Sequence, residues 1–276
     1  MGDKKISIIT INYNDKNGLE KTIQSVISQR YKNIEFIIID GNSADGSKEI
    51  IDNFAPNLAY WISEPDSGIY NAMNKGIKVA TGDYLLFLNS GDSLHDNRVL
   101  ENVNALMGEG RDIYYGDIIY DEVNQRNKVT FPDVLTFAFF FERNISHQAS
   151  FIKRHLFDTI FLYNENLKIV SDWEFFTYAI CKREVSYQHL DLLVTNYDAT
   201  GISSNTENHP SMFIEREASL NKYFPEFVAD YNYLKKLKLK KVEQLIFIKQ
   251  YPLAFKILKG FMNLILLFLP KFQRTA

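Results

Sequence analysis

In the N-terminal part of the chain, four short apolar runs each give way to a carboxylate within a few residues. Asn12, Tyr13, Asn14 and Asp15 follow the first run; Asp40, Asn42, Ser43 and Asp45 the second; Glu64, Pro65, Asp66 and Ser67 the third; Asn89, Ser90 and Asp92 the fourth. Any one of these acids can be a helix cap, because Asp and Ser at a strand-to-helix turn accept the free N–H groups of the first helical turn. Taken together, acidic ends along one rim would repel an anionic ligand unless a cation stood between them. A divalent metal shared by carboxylate and phosphate oxygens would do that. In LLFLNSGD (85–92) the apolar run would carry Asp92 to the rim, and Gly91 would let backbone and ligand approach closely.

Further along, Asp172 follows Ser171 at the head of the helical stretch DWEFFTYAICK. A short acid there either caps the helix, favoured by its dipole, or points into a cleft as a proton acceptor. Trp173 beside it can stack on a ligand or pack in the core. His147, in ISHQASF, stands between polar residues at the start of a strand-like piece, where it can ligate a metal, touch a ligand or be structural. Asp117, in YYGD, borders the same region or simply closes a strand.

Positioning these groups requires a sheet. The runs Ile6 to Ile11, Ile34 to Ile39, Leu58 to Ile62 and Tyr84 to Leu88 are too short and too uniformly apolar for amphipathic helices, and read as buried parallel strands. Between them Leu19, Ile23, Val26 and Ile27, then residues 47–54, then Ile69, Ala72, Met73 and Ile77, recur at helical spacing. Alternating strands and helices imply an α/β sheet covered on its faces. In such a sheet, ligands bind outside the carboxyl ends of the strands, which is where the acids fall. From Asp112 on, strand-like pieces (IYYGDIIY, HQASFIK, VSYQHLDLLV) and an amphipathic helix from Asp172 to Lys182 extend the sheet, with no Pro/Gly/Ser-rich linker to mark a boundary. One catalytic domain is expected over 1–227, followed by a basic amphipathic tail over 228–276, helical from Tyr231 to Phe272 and broken near Pro252.

The 276 residues, 46% of them hydrophobic, suffice for a sizeable core. The net charge of −3 hides an asymmetry: from Tyr231 on, ten basic residues face one acid, giving +9 and leaving −12 on the rest. An acidic body argues against nucleic-acid binding, and a basic tail interleaved with Leu, Ile and Phe points to an anionic membrane surface. FKILKGFMNLILLFLP is too short and too interrupted by Lys259 for a bilayer span, so it would lie in the interface or pack on its own domain or a second subunit of a homo-oligomer. A single cysteine, Cys181, and no apolar run before the first strand favour a cytoplasmic, reducing setting. Neither G-x-x-x-x-G-K-[ST] nor G-x-G-x-x-G follows the first strand, where NYNDKNG stands, which argues against a P-loop hydrolase and a standard dinucleotide dehydrogenase.

The segments ISIITINYND, IEFIIIDGNSADGS, EPDSGIYNAMNKGIKVATGDYLLFLNSGD, ISHQASFIKR and LKIVSDWEFF together resemble the inverting, sugar-nucleotide-dependent glycosyltransferases of family 2, over roughly residues 5–205. The long third segment is similar to a subgroup from bacterial capsule, exopolysaccharide and lipopolysaccharide biosynthesis. The resemblance implies a GT-A fold, the Rossmann-like α/β architecture with a mostly parallel sheet. It implies a metal-dependent transfer of the hexosyl type from a UDP- or GDP-sugar to a glycan or lipid-linked acceptor, at the inner face of the cell membrane, with Mn2+ or Mg2+ as cofactor. Thr10, Asn12, Tyr13, Asp40, Asn42, Asp66, Gly68, Asn74, Asn89 and Ser90 would bind the nucleotide-sugar, and Asp92, with His147 as a further candidate, the metal. Asp172 would be the catalytic base, with Trp173 a candidate acceptor contact. Where the family usually has two or three acids, this chain has Asn89 and Gly91 beside Asp92, and where many members have an Arg, it has Met73. The alternatives are a non-catalytic nucleotide-sugar-binding partner of another transferase and a sugar-phosphate nucleotidyltransferase. The latter would need a glycine- and basic-rich loop after the first strand.

Overall fold

Strands that are apolar at every position must be covered on both faces, and those of this chain are. In the computed structural model, which describes residues 2–108, 110–122, 125–237 and 239–269, β1 (Ile6–Asn12) is buried throughout, as is β2 (Ile34–Asp40) after its first residue. The helices α1 (Lys16–Ile27), α2 (Ser47–Phe54) and α3 (Ile69–Val79) alternate with β2, β3 (Tyr60–Ser63) and β4 (Tyr84–Phe87). Leu19, Ile23 and Val26 of α1, and Ala72, Met73 and Ile77 of α3, are the buried faces that the helical spacing predicts. β5 (Ser93–Leu94), α4 (Val99–Leu106), β6 (Ile113–Glu122), β7 (Gln125–Val129), α5 (Phe137–Glu142), β8 (Ser150–Lys153), α6 (Leu156–Thr159), α7 (Ser171–Cys181), β9 (Tyr187–Asp198) and α8 (His209–Tyr223) follow.

Among the described residues nine strands form one mixed sheet in the order β3-β2-β1-β4-β8-β6-β9-β5, with β7 paired to β6. The half from β3 to β4 is parallel, and β6 pairs parallel with β9. The register decides what the rim looks like. Asn12 lies opposite Asp40, and Asp40 opposite Ser63, so the last residues of three parallel strands stand in one row. At the other end of the same strands Ser7 lies opposite Glu35. Glu35 accepts hydrogen bonds from Ser7, from the Thr81 hydroxyl and amide, and from Lys5, tying β1 and β2 to the turn that starts β4.

Several expected bounds shift. The third strand starts at Tyr60, not Leu58, because Ala55–Asn57 close a 3-10 turn around Pro56. HQASFIK is a strand only from Ser150; His147–Ala149 form a 3-10 turn, which lifts His147 off the sheet. α7 is not two-faced as expected: Trp173, Phe175, Phe176, Ala179 and Ile180 are all buried, and Glu174 with them. Its Phe175 ring stacks on Phe157 at 4.6 Å.

The chain divides into two compact units at Ser219 and Leu220. The second contains α9 (Val228–Leu237), α10 (Lys240–Lys249) and α11 (Pro252–Leu266). α11 begins at Pro252, where a break was expected, since proline is accommodated at a helix start but not inside. Residues 270–272 of the expected helical tail lie outside the described residues.

The Glu35 cluster gives a test of the fold. Burial works against its charge, but the bonds from Ser7, Thr81 and Lys5 outweigh it and lower its pKa from 4.5 to about 2. A carboxyl lowered on folding stabilises the native state above its unfolded pKa, and that contribution disappears as pH falls through the folded value. Glu35→Gln should therefore cost about 2 kcal/mol at pH 7. In urea titrations the difference from wild type should shrink between about pH 4.5 and about pH 2.

Candidate active site

A cleft of about 860 Å3 opens at the carboxyl ends of β1, β2 and β4. It is walled by the loops after those strands, the start of α3 and the end of β9. Of the residues expected to bind a nucleotide-sugar, Asn12, Tyr13, Asn42, Asp66, Gly68, Asn89 and Ser90 line it, together with Asp92, His147 and Asp172. Tyr13 is 69% exposed, its ring open to the cleft.

Thr10, Asp40, Asn74 and Trp173 do not line this cleft. Thr10 is fully buried and donates to the Leu88 carbonyl at 2.7 Å, fastening β4 beyond its last ladder residue. Asp40 is also fully buried, accepting from Asn12, Ser43 and Ser63. Desolvation would raise its pKa, but these bonds outweigh it and hold the carboxyl below its ordinary range. Asp40 thus orients Asn12. Asn74 exchanges hydrogen bonds with the Tyr163 backbone and donates to Glu165, supporting the loop that leads to α7. Trp173 donates Nε1 to the Phe140 carbonyl at 2.7 Å, and its ring carries the Arg216 guanidinium at 5.0 Å. It is a core residue that borders a second cavity.

Leu88 and Ser90 continue the pairing with β1 by donating to Ile9 and Ile11, so the turn beyond β4 is delivered to the rim. Asp92 there is nearly fully buried, and its Oδ1 accepts from the Asp198 amide at 2.8 Å. Desolvation raises its pKa to about 7, against the opposing pull of the Asp198 amide, His147 and Gln148. Gly91 has φ +92°, and a Cβ there would sit 2.9 Å from the Asp198 carboxylate. The close approach expected at Gly91 is therefore made by Asp198, which the sequence reading did not single out. β5 pairs with β9, setting Ser93 opposite Asn196, and this ladder brings Asp92 and Asp198 together.

Of the described residues, Asp15, Asp66, Asp92, Asp172 and Asp198 line the cleft against a single lysine, Lys168. Among the described residues no group of three His, Cys, Asp or Glu is arranged to hold a metal by itself.

Asp172 is held from several sides. Oδ2 accepts from Asn144 at 3.0 Å and faces His147 Nδ1 at 3.1 Å; Oδ1 lies 3.1 Å from the Tyr70 hydroxyl, which also donates to the Ile169 carbonyl. Burial works against its charge, but the His147, Trp173 and Tyr70 interactions outweigh it and lower its pKa, so it is ionised at neutral pH. The second ring nitrogen of His147 lies 3.3 Å from Asn89 Nδ2. With Asn89 Nδ2 as the donor, Nε2 accepts and a proton on Nδ1 is directed at Asp172. Both nitrogens are engaged, which leaves His147 as a support for Asp172 and not, in this arrangement, the metal ligand that was a candidate. Glu215 of α8 accepts from the amides of Lys168, Ile169 and Val170 and so fixes the lead into α7. Asp117, expected to border the cleft or close a strand, is buried away from it, paired with Lys128 and His189.

Asp172 and His147 also border a second cavity of about 600 Å3, on the side of α5 and α8. A carboxylate kept ionised in the wall between two cavities is placed to take a proton from a group in one as it reacts with a group in the other.

Residues 7–168 match the model of the family described as "Glycosyl transferase family 2". The chain belongs to that family. It is 35% identical to a PGL/p-HBAD biosynthesis glycosyltransferase of Mycobacterium bovis, over 75% of this chain and 81% of that one. It is 34% identical to an uncharacterized glycosyltransferase of Mycobacterium tuberculosis, over 80% and 85% of the two chains. In fold it is similar to S. aureus TarS 1–349 in complex with UDP-GlcNAc (TM-score 0.62, 19% identity, 89% of this chain and 79% of that one). It is also similar to the mannosyltransferase PcManGT from Pyrobaculum calidifontis in complex with GDP-Man and Mn2+ (TM-score 0.59, 14% identity, 83% and 65%). The family 2 chain thus has the α/β, GT-A-like fold expected of it, and it is a glycosyltransferase.

The His147 tautomer yields a test in this family 2 chain. An asparagine amide nitrogen can occupy the place of Nδ1 and still donate to Asp172, whereas glutamine reaches only the place of Nε2. His147→Gln should lower kcat by about tenfold or more with little change in donor KM, and His147→Asn should recover much of the loss.

Proposed function

We propose that the protein transfers a sugar from a nucleoside diphosphate to an acceptor hydroxyl with inversion at the anomeric carbon, with Asp172 as the base. The observation that carries this reading is the Asp172 carboxylate, ionised and part-buried in the wall shared by the two cavities. The acceptor oxygen forms its bond to the anomeric carbon as the bond to the diphosphate breaks. The diphosphate leaves with the electron pair, and the hydroxyl proton passes to Asp172. Tyr13 offers its exposed ring to the base of a UDP- or GDP-sugar, and Asn12, Asn42, Asp66 and Gly68 line the remainder of the donor cleft.

A donor diphosphate is anionic, and the cleft that would hold it carries five carboxylates and one lysine. The donor set fits a divalent cation. Asp92 is a desolvated carboxylate whose proton affinity is raised to about neutrality, Asp198 adjoins it, and Asn89 Oδ1 is buried without a partner. Asp92 and Asp198 would hold Mn2+ or Mg2+, with phosphate oxygens completing its shell, as such ions prefer. The cation would offset charge on the departing diphosphate. The mannosyltransferase bound to GDP-Man and Mn2+ supports that reading.

The likeness of the segment 64–92 to a subgroup from capsule, exopolysaccharide and lipopolysaccharide biosynthesis supports a role in building a surface polysaccharide, the finer form of this proposal, and relatives named for PGL/p-HBAD biosynthesis are in keeping with a biosynthetic transferase. The tail supports a membrane setting. No helix among the described residues is long and apolar enough to cross a membrane, yet α11 and the residues after it expose Leu253, Ile257, Phe261, Ile265, Leu267 and Phe268. With a charge of +9 from Tyr231 on, an in-plane anchor on an anionic surface fits.

Asp172→Asn tests the base. The amide cannot take a proton, so turnover should fall about 10²–10⁴-fold while donor affinity, measured by calorimetry with UDP- and GDP-sugars and Mn2+, stays put. Near-normal turnover would overturn the assignment. For the tail, sedimentation with vesicles should need anionic lipid and weaken as salt rises; equal sedimentation with neutral vesicles would argue against an electrostatic anchor.

A further inference from the structure

The end of the sheet opposite the cleft carries charge of the other sign. β1 and β4 start there, and β8, antiparallel to β4, finishes there with Lys153 opposite Tyr84. The residues before β1, the turn into β4 and the residues after β8 enclose a cavity of about 370 Å3. Of the described residues, Lys4, Lys153, Arg154 and His155 line it against one carboxylate, Asp83. The catalytic cleft has the reverse balance. Residues 1–230 together carry −12, so a hollow with an excess of cations stands apart from the rest of the body.

The fold does not use these cations up. Lys153 Nζ is held by Asp112 at 3.1 Å. Arg154 Nη1 reaches Asp158 at 3.4 Å, but both side chains are largely exposed, and such surface pairs contribute little. Among the described residues the other Arg154 nitrogens, Lys4 Nζ and the His155 ring have no partner. The main chain around them, by contrast, is committed. Lys4 N donates to Asn104 and its carbonyl accepts from the Tyr31 hydroxyl; the Gly82 amide donates to Ser7 Oγ and the Arg154 amide to the Asp83 carbonyl. Thr81 Oγ1 is spent between Lys5 and Glu35, and Asp83 Oδ2 on the Lys5 amide.

What the cavity offers a ligand is therefore mostly N–H donors on cationic side chains. A sugar or a base needs acceptors as well as donors, and each hydroxyl or N–H left unmet costs more than a made bond gains. A phosphate group needs donors alone, and a guanidinium beside an ammonium suits its oxygens.

We propose that this cavity is a second ligand site, remote from the cleft, in which Arg154, Lys4 and His155 bind a phosphate group. The phosphate belongs either to a soluble anion or to a lipid headgroup. The site does not depend on the transferase reading, since it shares no residue with the donor cleft.

The test is a phosphorus NMR titration of the full chain with inorganic phosphate, in EDTA and at low salt. EDTA removes divalent cations that could bridge phosphate to the acidic cleft. The phosphate line should broaden saturably, and added NaCl should weaken the effect. Lys4→Gln and Arg154→Gln, on separate segments, should each weaken binding about fivefold or more, and Arg154→Lys should recover part of the loss. The basic tail is unaltered in every variant, and urea midpoints report whether each one folds. Sedimentation with vesicles of phosphatidylcholine and phosphatidylglycerol separates the two sources. If the phosphate is a headgroup, the glutamine variants bind vesicles more weakly than wild type as well as losing inorganic phosphate; if it is a soluble anion, they lose inorganic phosphate alone. Absence of saturable broadening in the wild type, or broadening that both glutamine variants retain, would overturn the site.

Discussion

Like charges crowded into one cleft have to be kept apart in free energy, and the site depends on how that is done. Asp92 is buried and Asp172 part-buried at the same cleft; desolvation raises the first to about neutrality, and hydrogen bonds hold the second below its ordinary range. The difference lies in the donors aimed at each. Asp172 is surrounded by Asn144, His147, Tyr70 and the Trp173 amide, whereas Asp92 accepts mainly from Asp198 and Gln148 and has a second carboxylate beside it. One is settled as an anion; the other is left wanting a positive charge. The hydrogen-bond inventory at each carboxylate weighs heavily in that division of roles.

The scaffold serves the same end. In-register parallel strands finish in the row Asn12, Asp40 and Ser63, and the saturated Asp40 carboxylate makes that row rigid. At the far side of the cleft Glu215 gathers three successive amides before α7, and the aromatic contacts among Phe87, Phe157, Tyr163 and Phe175 back the helix that carries Asp172. The rim can be polar because what lies under it is not free to move.

Much of this was legible beforehand. β1, β2 and β4 announce themselves as unbroken apolar runs, and the acids after them fall on the rim because parallel strands share a direction. What was hidden had no local signature. β5 is two residues long, too short for any periodicity to register, yet it aligns Asp92 with Asp198. Asp198 ends a strand that the apolar pattern closes several residues earlier, at Val194. Thr10, Asp40 and Asn74 have side chains suited to a ligand, and only the packing shows that theirs are spent on Leu88, Ser63 and Tyr163. His147 looked like part of a strand; the 3-10 turn that turns its ring toward Asp172 depends on the Ser146 and Ser150 bonds around it.

The link from Asn89 through His147 to Asp172 has a direction. With the Asn89 amide nitrogen as donor, each ring nitrogen plays one part, receiving a hydrogen on one side and handing one to the carboxylate on the other. An aspartate in place of Asn89, as the family's acidic region would ordinarily have it, could not start that sequence. Two carboxylates would then flank the imidazole, each asking for a hydrogen, and the ring would need a second proton to answer both. Asp172 would face a cation and lose appetite for the acceptor's proton. The amide at position 89 thus suits the arrangement in which the His147 ring hands its hydrogen to Asp172.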